Sequence, residues 1–283
     1  MTRTATTAVV NPDALPFPRR DAWAPEPSPR ALVRGSRLQA ERILTKWAKD
    51  PATLLQSLLF PALMVLLFWL VLDRSVSSHT GESSAFGMVP MVALVGAMSG
   101  ASISGLGLRR ERTSGLLTKM WALPVHRASA MVGRLAAEAV RVVVTVTFVL
   151  LVGTLIGFRI ETGLGGYIGI LAVSMIFGLS FSIMVTALAL RSKDSHIVEW
   201  VAIGTNLAMF FNTGFVPADA YPAWLRPIVE YQPLSCAVEA IRAFATGGAL
   251  MEPLLLTAGW SALLIAVFTR PTLHGYRQAA TRG

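Results

Sequence analysis

Charge is scarce in this sequence. Asp, Glu, Lys and Arg make up 14% of its 283 residues, against about 25% in a soluble globular domain. Apolar residues make up 53%, and the mean hydropathy is +0.57. A soluble fold of this length cannot hide that much apolar surface, because roughly 55–60% of a folded surface is apolar already. The chain therefore reads as an integral membrane protein, and its composition argues against a chain that is disordered throughout, a collagen or a coiled coil. Cysteine is almost absent. Cys236 stands alone, which rules out an intramolecular disulfide and a cysteine-based zinc site. The dipeptide Gly-Lys does not occur, so there is no Walker A loop and the chain is not its own P-loop ATPase. The first 30 residues lack the apolar core of a signal peptide and carry Pro12, Pro16, Pro18, Pro25, Pro27 and Pro29. Residues 1–29 are expected to be a disordered tail. His79, His126, His196 and His274 fall in different loops, a scatter that argues against a metal cluster.

What the sequence has is long apolar runs. Six are long enough to cross about 30 Å of hydrocarbon, which takes roughly 20 helical residues. They lie at about Thr53–Leu72, Phe86–Leu108, Met131–Phe158, Gly165–Leu190, Ile197–Phe215 and Pro253–Thr269. All are expected to be helices, since open strands cannot satisfy their backbone in lipid. The expected fold is an all-α integral membrane domain over residues 52–283, preceded by an interfacial helix at 30–51. The net charge of +9 would suit nucleic acid in a soluble protein. In a membrane protein, basic residues set topology instead, and no nucleic-acid partner is expected. Twenty of the 25 lysines and arginines fall in segments 1–52, 109–130 together with Arg134, 191–196 and 270–283. Four fall in 73–85, 159–164 and 216–252, and Arg141 lies inside a span. This asymmetry predicts a multi-pass protein with both termini in the cytoplasm.

Three segments outside the spans have shape. In 31–49, Val33, Ser36, Ala40, Ile43, Leu44 and Trp47 share one helical face, as in an amphipathic helix lying on the inner leaflet. In 109–127, Leu116, Leu117, Met120 and Trp121 form an apolar stripe, Arg112 and Lys119 lie opposite, and Pro124 stops the helix. That helix either rests on headgroups or docks into a cytoplasmic partner. Glu111 and Arg112 are expected at its N-terminal end, where a carboxylate gains about 0.3–1 kcal/mol. The loop 216–252 is apolar and cut by Pro217, Pro222, Pro227 and Pro233. It reads as two short helices re-entering the outer leaflet, with a small extracellular cap as the alternative.

Ionisable groups inside spans are functional by default. Glu138 and Arg141 are spaced to pair on one helical face, with Arg134 one turn earlier. The pair is either structural or a gate. Small residues recur at four-residue spacing in Gly96, Gly100, Ser104 and in Ser174, Gly178, Ser182, Thr186. These rows permit close helix contact within the chain or at a dimer seam. Asn206 and Asn212 need hydrogen-bond partners. Asp194, His196 and Glu199 read as a solvated turn. A membrane-embedded lipid-modifying enzyme would need convergent acid, base or metal groups, and none is evident. A non-transport scaffold subunit stays open.

The order of these features resembles an ABC-2-type exporter permease. Arg110-Glu111-Arg112-Thr113-Ser114-Gly115-Leu116-Leu117, followed by Leu123-Pro124-Val125-His126-Arg127, is similar to that family's coupling motif. Phe215-Val216-Pro217, Tyr221-Pro222-Ala223-Trp224-Leu225, Gln232-Pro233-Leu234 and Arg242 resemble its signature before the last span, with Gln232 where many members carry Asn. Leu44-Thr45-Lys46-Trp47-Ala48-Lys49-Asp50 resembles the entry to the first span. The likeness runs from about residue 38 to the C-terminus. It is strongest to the daunorubicin-resistance (Drr) type, and within it to the C-type permeases of mycobacterial lipid and drug export. The resemblance implies a non-catalytic permease in a bacterial plasma membrane, six spans, and a separate ATPase that binds ATP and Mg2+. It implies a second permease, identical or a B-type paralogue. It implies coupling through Glu111, Arg112, Gly115, Leu116, Met120 and Pro124, and an outer re-entrant region around Pro217, Pro222, Trp224, Pro233 and Arg242. Cargo would be a hydrophobic lipid or drug, including an antibiotic, since the spans offer few polar groups for a sugar or an ion.

Overall fold

The computed structural model describes residues 28–80, 83–121, 126, 128–191 and 196–281. The tail at 1–27, Pro124 and Asp194 lie outside them. Ten α-helices cover most of the described chain, with no strand among the described residues. They are α1 Pro29–Lys49, α2 Pro51–Thr80, α3 Ala85–Thr113, α4 Leu116–Trp121, α5 Ser129–Leu155, α6 Gly163–Arg191, α7 His196–Phe210, α8 Arg226–Tyr231, α9 Pro233–Thr246 and α10 Met251–Thr281. Five are long and apolar enough to cross a membrane: Pro51–Val71 in α2, all of α3, α5 and α6, and Met251–Tyr276 in α10.

Local chemistry sets the first boundaries. Ser28 caps α1, its Oγ accepting from Ala31 N at 3.1 Å, and Pro29 opens the helix. Asp50 then ends α1 and starts α2. Its carboxylate accepts from Ala52 N at 3.2 Å, Thr53 N at 3.3 Å and the Thr53 hydroxyl at 2.6 Å, with Pro51 next in line. Trp47 is held across this corner by its indole N–H, which donates to Ser57 Oγ at 3.2 Å.

Helix α3 is the centre of the bundle. It packs on α2, α5, α6, α7 and α9, and its Gly-, Ala-, Ser- and Met-rich sequence is buried from Ala85 to Leu108 with few gaps. The small residues allow this density. A Cβ on Gly100 would stand 2.6 Å from the Arg141 guanidinium, and one on Gly178 would stand 3.0 Å from Val142. Ser174, Ser182 and Thr186 are buried as well. Both small-residue rows thus pack within the chain. Helices α2 and α10 lie at the periphery and expose Leu55, Leu59, Phe60, Leu63, Leu255 and Leu263, as a lipid-facing surface would.

The interfacial segment forms α1, which packs along α5. Ser36 is its buried residue. A Cβ on Gly133 of α5 would lie 2.6 Å from the Ser36 carbonyl, so a glycine is what lets the two backbones approach. Val33, expected on the apolar face, is exposed.

The fifth expected span differs from its reading. Helix α7 has 15 residues, about 22 Å at 1.5 Å per residue, which is short of a full crossing. Hydropathy continued the segment to Phe215, but the helix stops at Phe210 because Asn212 turns back on it. The Asn212 amide donates to Ala208 O at 3.1 Å and to Met209 O, and its Oδ1 accepts from Gly214 N at 2.6 Å. Asn212 and Thr213 are buried, so this irregular backbone is sheltered by protein, as it must be at membrane depth. Asn206 donates instead to Ala202 O at 2.8 Å within its own helix.

Candidate functional site

The last turn of α3 gathers the charges at the end of the bundle where α1 lies. Glu111 and Arg112 sit at the C-terminal end of this long helix, not at the N-terminal end of a separate one. That corrects the expected placement, and the helix dipole now opposes Glu111 instead of favouring it. Two arginines offset the mismatch. Arg42 of α1 reaches Glu111 Oε1 at 2.9 Å, and Arg134 of α5 reaches Oε2 at 2.7 Å. The Glu111 and Arg134 side chains are 11% and 7% exposed, so the second bridge is shielded from water. Arg134 also donates to Ser104 O at 3.2 Å and Ser104 Oγ at 3.1 Å. One carboxylate therefore joins α1, α3 and α5.

Arg112 is not free of local duty either. Its Nη1 donates to Leu190 O at 2.6 Å, satisfying a carbonyl in the final turn of α6 that has no helical partner. The chain then reverses. Ser114 N donates to Arg110 O, and Gly115 adopts φ +68°. Nothing lies within 4 Å of a Cβ built on Gly115, so the left-handed backbone alone is the demand for glycine. Helix α4 follows over Leu116–Trp121, and the expected stop at Pro124 lies outside the described residues. Its Leu117 is buried against Leu108, Leu190 and Tyr276, Leu116 is half-buried, and Lys119 is exposed. Met120 belongs to α4 by backbone.

Deeper along α5, Glu138 and Arg141 form an ion pair, both nearly fully buried. Gly100 leaves room for the Arg141 guanidinium against α3. Arg134 bridges Glu111 in place of joining this pair.

At the opposite end, the loop before α10 is built on α9. Leu234, Val238, Ile241 and Ala245 face inward at helical spacing, and α9 packs on α3, α6 and α10. Pro217 precedes a 3-10 turn at Ala218–Ala220, Pro222 accepts from Leu225 N at 2.8 Å, and Pro233 opens α9. Arg242 pairs with Glu239 at 3.0 Å and donates to Thr213 O at 3.2 Å, tying α9 to the turn after α7. Gly247, at φ +75°, ends α9. Trp224 is 72% exposed and Leu225 half-buried, so the described residues leave Trp224 largely uncovered.

A model of the ABC-2 type transporter family matches residues 37–245. The chain is 37% identical over 252 residues to a protein of Mycobacterium tuberculosis described as a probable doxorubicin resistance ABC transporter permease, DrrC. That alignment covers 89% of this chain and 91% of the relative. It is 27% identical over 241 residues to the daunorubicin resistance ABC transporter permease DrrB1 of Streptomyces coeruleorubidus, covering 83% of each. A putative transport permease of Cyanophora paradoxa, ycf38, is 25% identical over 207 residues, 71% of each chain.

This chain belongs to the ABC-2 type transporter family.

Among the described residues, no three His, Cys, Asp or Glu side chains converge as a metal site requires. His196 and Glu199 meet at 3.3 Å on the surface. Reasoning from sequence missed Arg42 and Ser104 as partners of the Glu111 cluster. The residues were visible, but their meeting depends on how α1 and α5 cross α3, and helical spacing does not report that.

Proposed function

We propose that this permease is the membrane half of an exporter that moves a hydrophobic lipid or drug outward, driven by a separate ATPase docked on the turn and helix at 113–121. In this reading the α1 end faces the cytoplasm, both termini lie there, and the protein sits in a bacterial plasma membrane. ATP and Mg2+ belong to the partner. A second permease, identical or a B-type paralogue, completes the path. The names of the relatives support a drug such as an anthracycline as one cargo class.

The observation that carries the proposal is the connectivity of α3's last turn. Glu111 holds α1 and α5, and Arg112 holds α6. A push on the adjoining turn is thereby delivered to four helices at once. Glu111 and Arg112 act as transmitters inside the permease. Among the described side chains of 113–121, Thr113, Ser114 and Lys119 are exposed and Leu116 half-buried, and these offer a surface to a partner. Gly115 shapes that surface through its left-handed backbone; Met120 and Pro124 belong to the same coupling segment by sequence.

The test is a pair of variants. Lys119→Glu alone, and Leu116→Asp with Lys119→Glu, should reach the membrane at wild-type levels and keep the wild-type melting midpoint. ATPase recovered with the affinity-tagged permease should fall by roughly tenfold or more in the double variant, and less in the single. Recovery and export at wild-type levels in both would refute the docking assignment.

A further inference from the structure

A cavity of about 340 Å3 opens between α1, the start of α2, the end of α3 and α5. Five cations line it: Arg42, Lys46, Arg110, Arg134 and Arg141. Three carboxylates oppose them, Asp50, Glu111 and Glu138, and each is already engaged. Glu111 is shared by Arg42 and Arg134, Glu138 is held by Arg141, and Asp50 is spent on the first turn of α2. Neither Lys46 nor Arg110 forms a salt bridge among the described residues, and Lys46 acts on Asp50 only as the weakest of the influences on its carboxyl. Ile43, Leu44, Ile103 and Leu106 beside Trp47 make an apolar stretch of the wall, and Thr53, Gln56 and Ser104 add neutral polar groups.

The chemistry of such a pocket is specific. Two unspent cations over paired arginines favour a compact anion, because a phosphate oxygen accepts from Arg and Lys more strongly than from neutral donors. An apolar wall along one side suits a hydrocarbon chain, not a free ion. The volume is at the lower end of ligand pockets, about 300–1,000 Å3. It suits a glycerophosphate headgroup with the first carbons of its tails and is too small for a whole lipid. The amphipathic α1 forms one wall, and a helix of that kind lies at headgroup depth.

We infer that this cavity is a binding site for the phosphate headgroup of an anionic phospholipid. Placing that lipid in the inner leaflet rests on the orientation proposed above; the binding itself does not. A lipid seated there touches α1, α3 and α5 together, the same helices that Glu111 joins.

Native mass spectrometry of the detergent-purified permease, titrated with phosphatidylglycerol, phosphatidylcholine or inorganic phosphate, tests the site. Wild-type protein should retain phosphatidylglycerol over phosphatidylcholine by roughly tenfold or more, and inorganic phosphate should not displace it at equal concentration. Lys46→Gln with Arg110→Gln removes both unspent charges, and phosphatidylglycerol binding should weaken by roughly thirtyfold. Arg226→Gln, an exposed cation at the other end of the bundle, should change nothing. Equal retention of the two lipids, displacement by phosphate alone, or an unchanged double variant would each overturn the inference. Orientation is read separately, by labelling Ser114→Cys and Ala220→Cys with an impermeant thiol reagent in intact cells. Label on Ala220→Cys alone supports the inner-leaflet placement, and label on Ser114→Cys alone moves the lipid to the outer leaflet without touching the binding result.

Discussion

Glu111 carries a negative charge at the end of a helix that disfavours it, and it is kept there by two arginines from other helices. Removing one partner of a shielded pair costs more than the pair contributes, because the other charge is left behind. Glu111→Gln strands Arg134, whose Nε already lacks a partner, and should lower stability by roughly 3 kcal/mol. The drop should be read as a lower melting midpoint in detergent. Adding Arg134→Met should recover part of that loss. A double variant less stable than Glu111→Gln would show that the bridge is not what Arg134 does. The Glu138–Arg141 pair was legible from i, i+3 spacing alone, because both partners share a helix. The Arg134–Glu111 bridge spans 23 residues and two helices, and Arg134 has Glu138 at i+4 as the nearer candidate. Spacing along one helix pointed the wrong way because burial between helices decided the partner.

At the scale of elements, hydropathy located the membrane helices and erred at their ends. It does not register where a backbone turns. Asn212 stops α7 inside an apolar run, and Gly115 divides α3 from α4 inside an amphipathic one. Both signals are single residues whose meaning depends on hydrogen bonds or on φ. The Asp50 corner was better marked, since an acid followed by proline before an apolar run is a helix-start signature. Its carboxyl is held below the ordinary value of 3.8, first by the Thr53 hydroxyl and then by backbone N–H groups. A lowered folded value means the cap stabilises the protein fully above about pH 4 and fades as the pH falls further. Asp50→Ala should therefore lower the melting midpoint at pH 7, and the gap from wild type should close on acidification below pH 4. A gap that stays constant down to that range would remove the charge from the explanation.

For the whole molecule, α3 is a central strut with α2 and α10 outside it. Its end near α1 is tied to three neighbours by charge, and its other end reaches the turn at Gly214. A Cβ on Gly87 would collide with the Gly214 carbonyl, so that contact is backbone against backbone. The strut runs from the charged turn to the α9 region, and a displacement at one end has a rigid route to the other. Whether an ATPase supplies that displacement at 113–121 is the central claim. It is tested most directly by a photoreactive amino acid placed at Lys119, with Trp224 as the control site. Both side chains are exposed, at opposite ends of the bundle. Irradiated native membranes should give an adduct at position 119 that incorporates azido-ATP, and none at position 224. An ATP-labelled adduct from position 224, or none from position 119 while the complex remains assembled, would contradict the account.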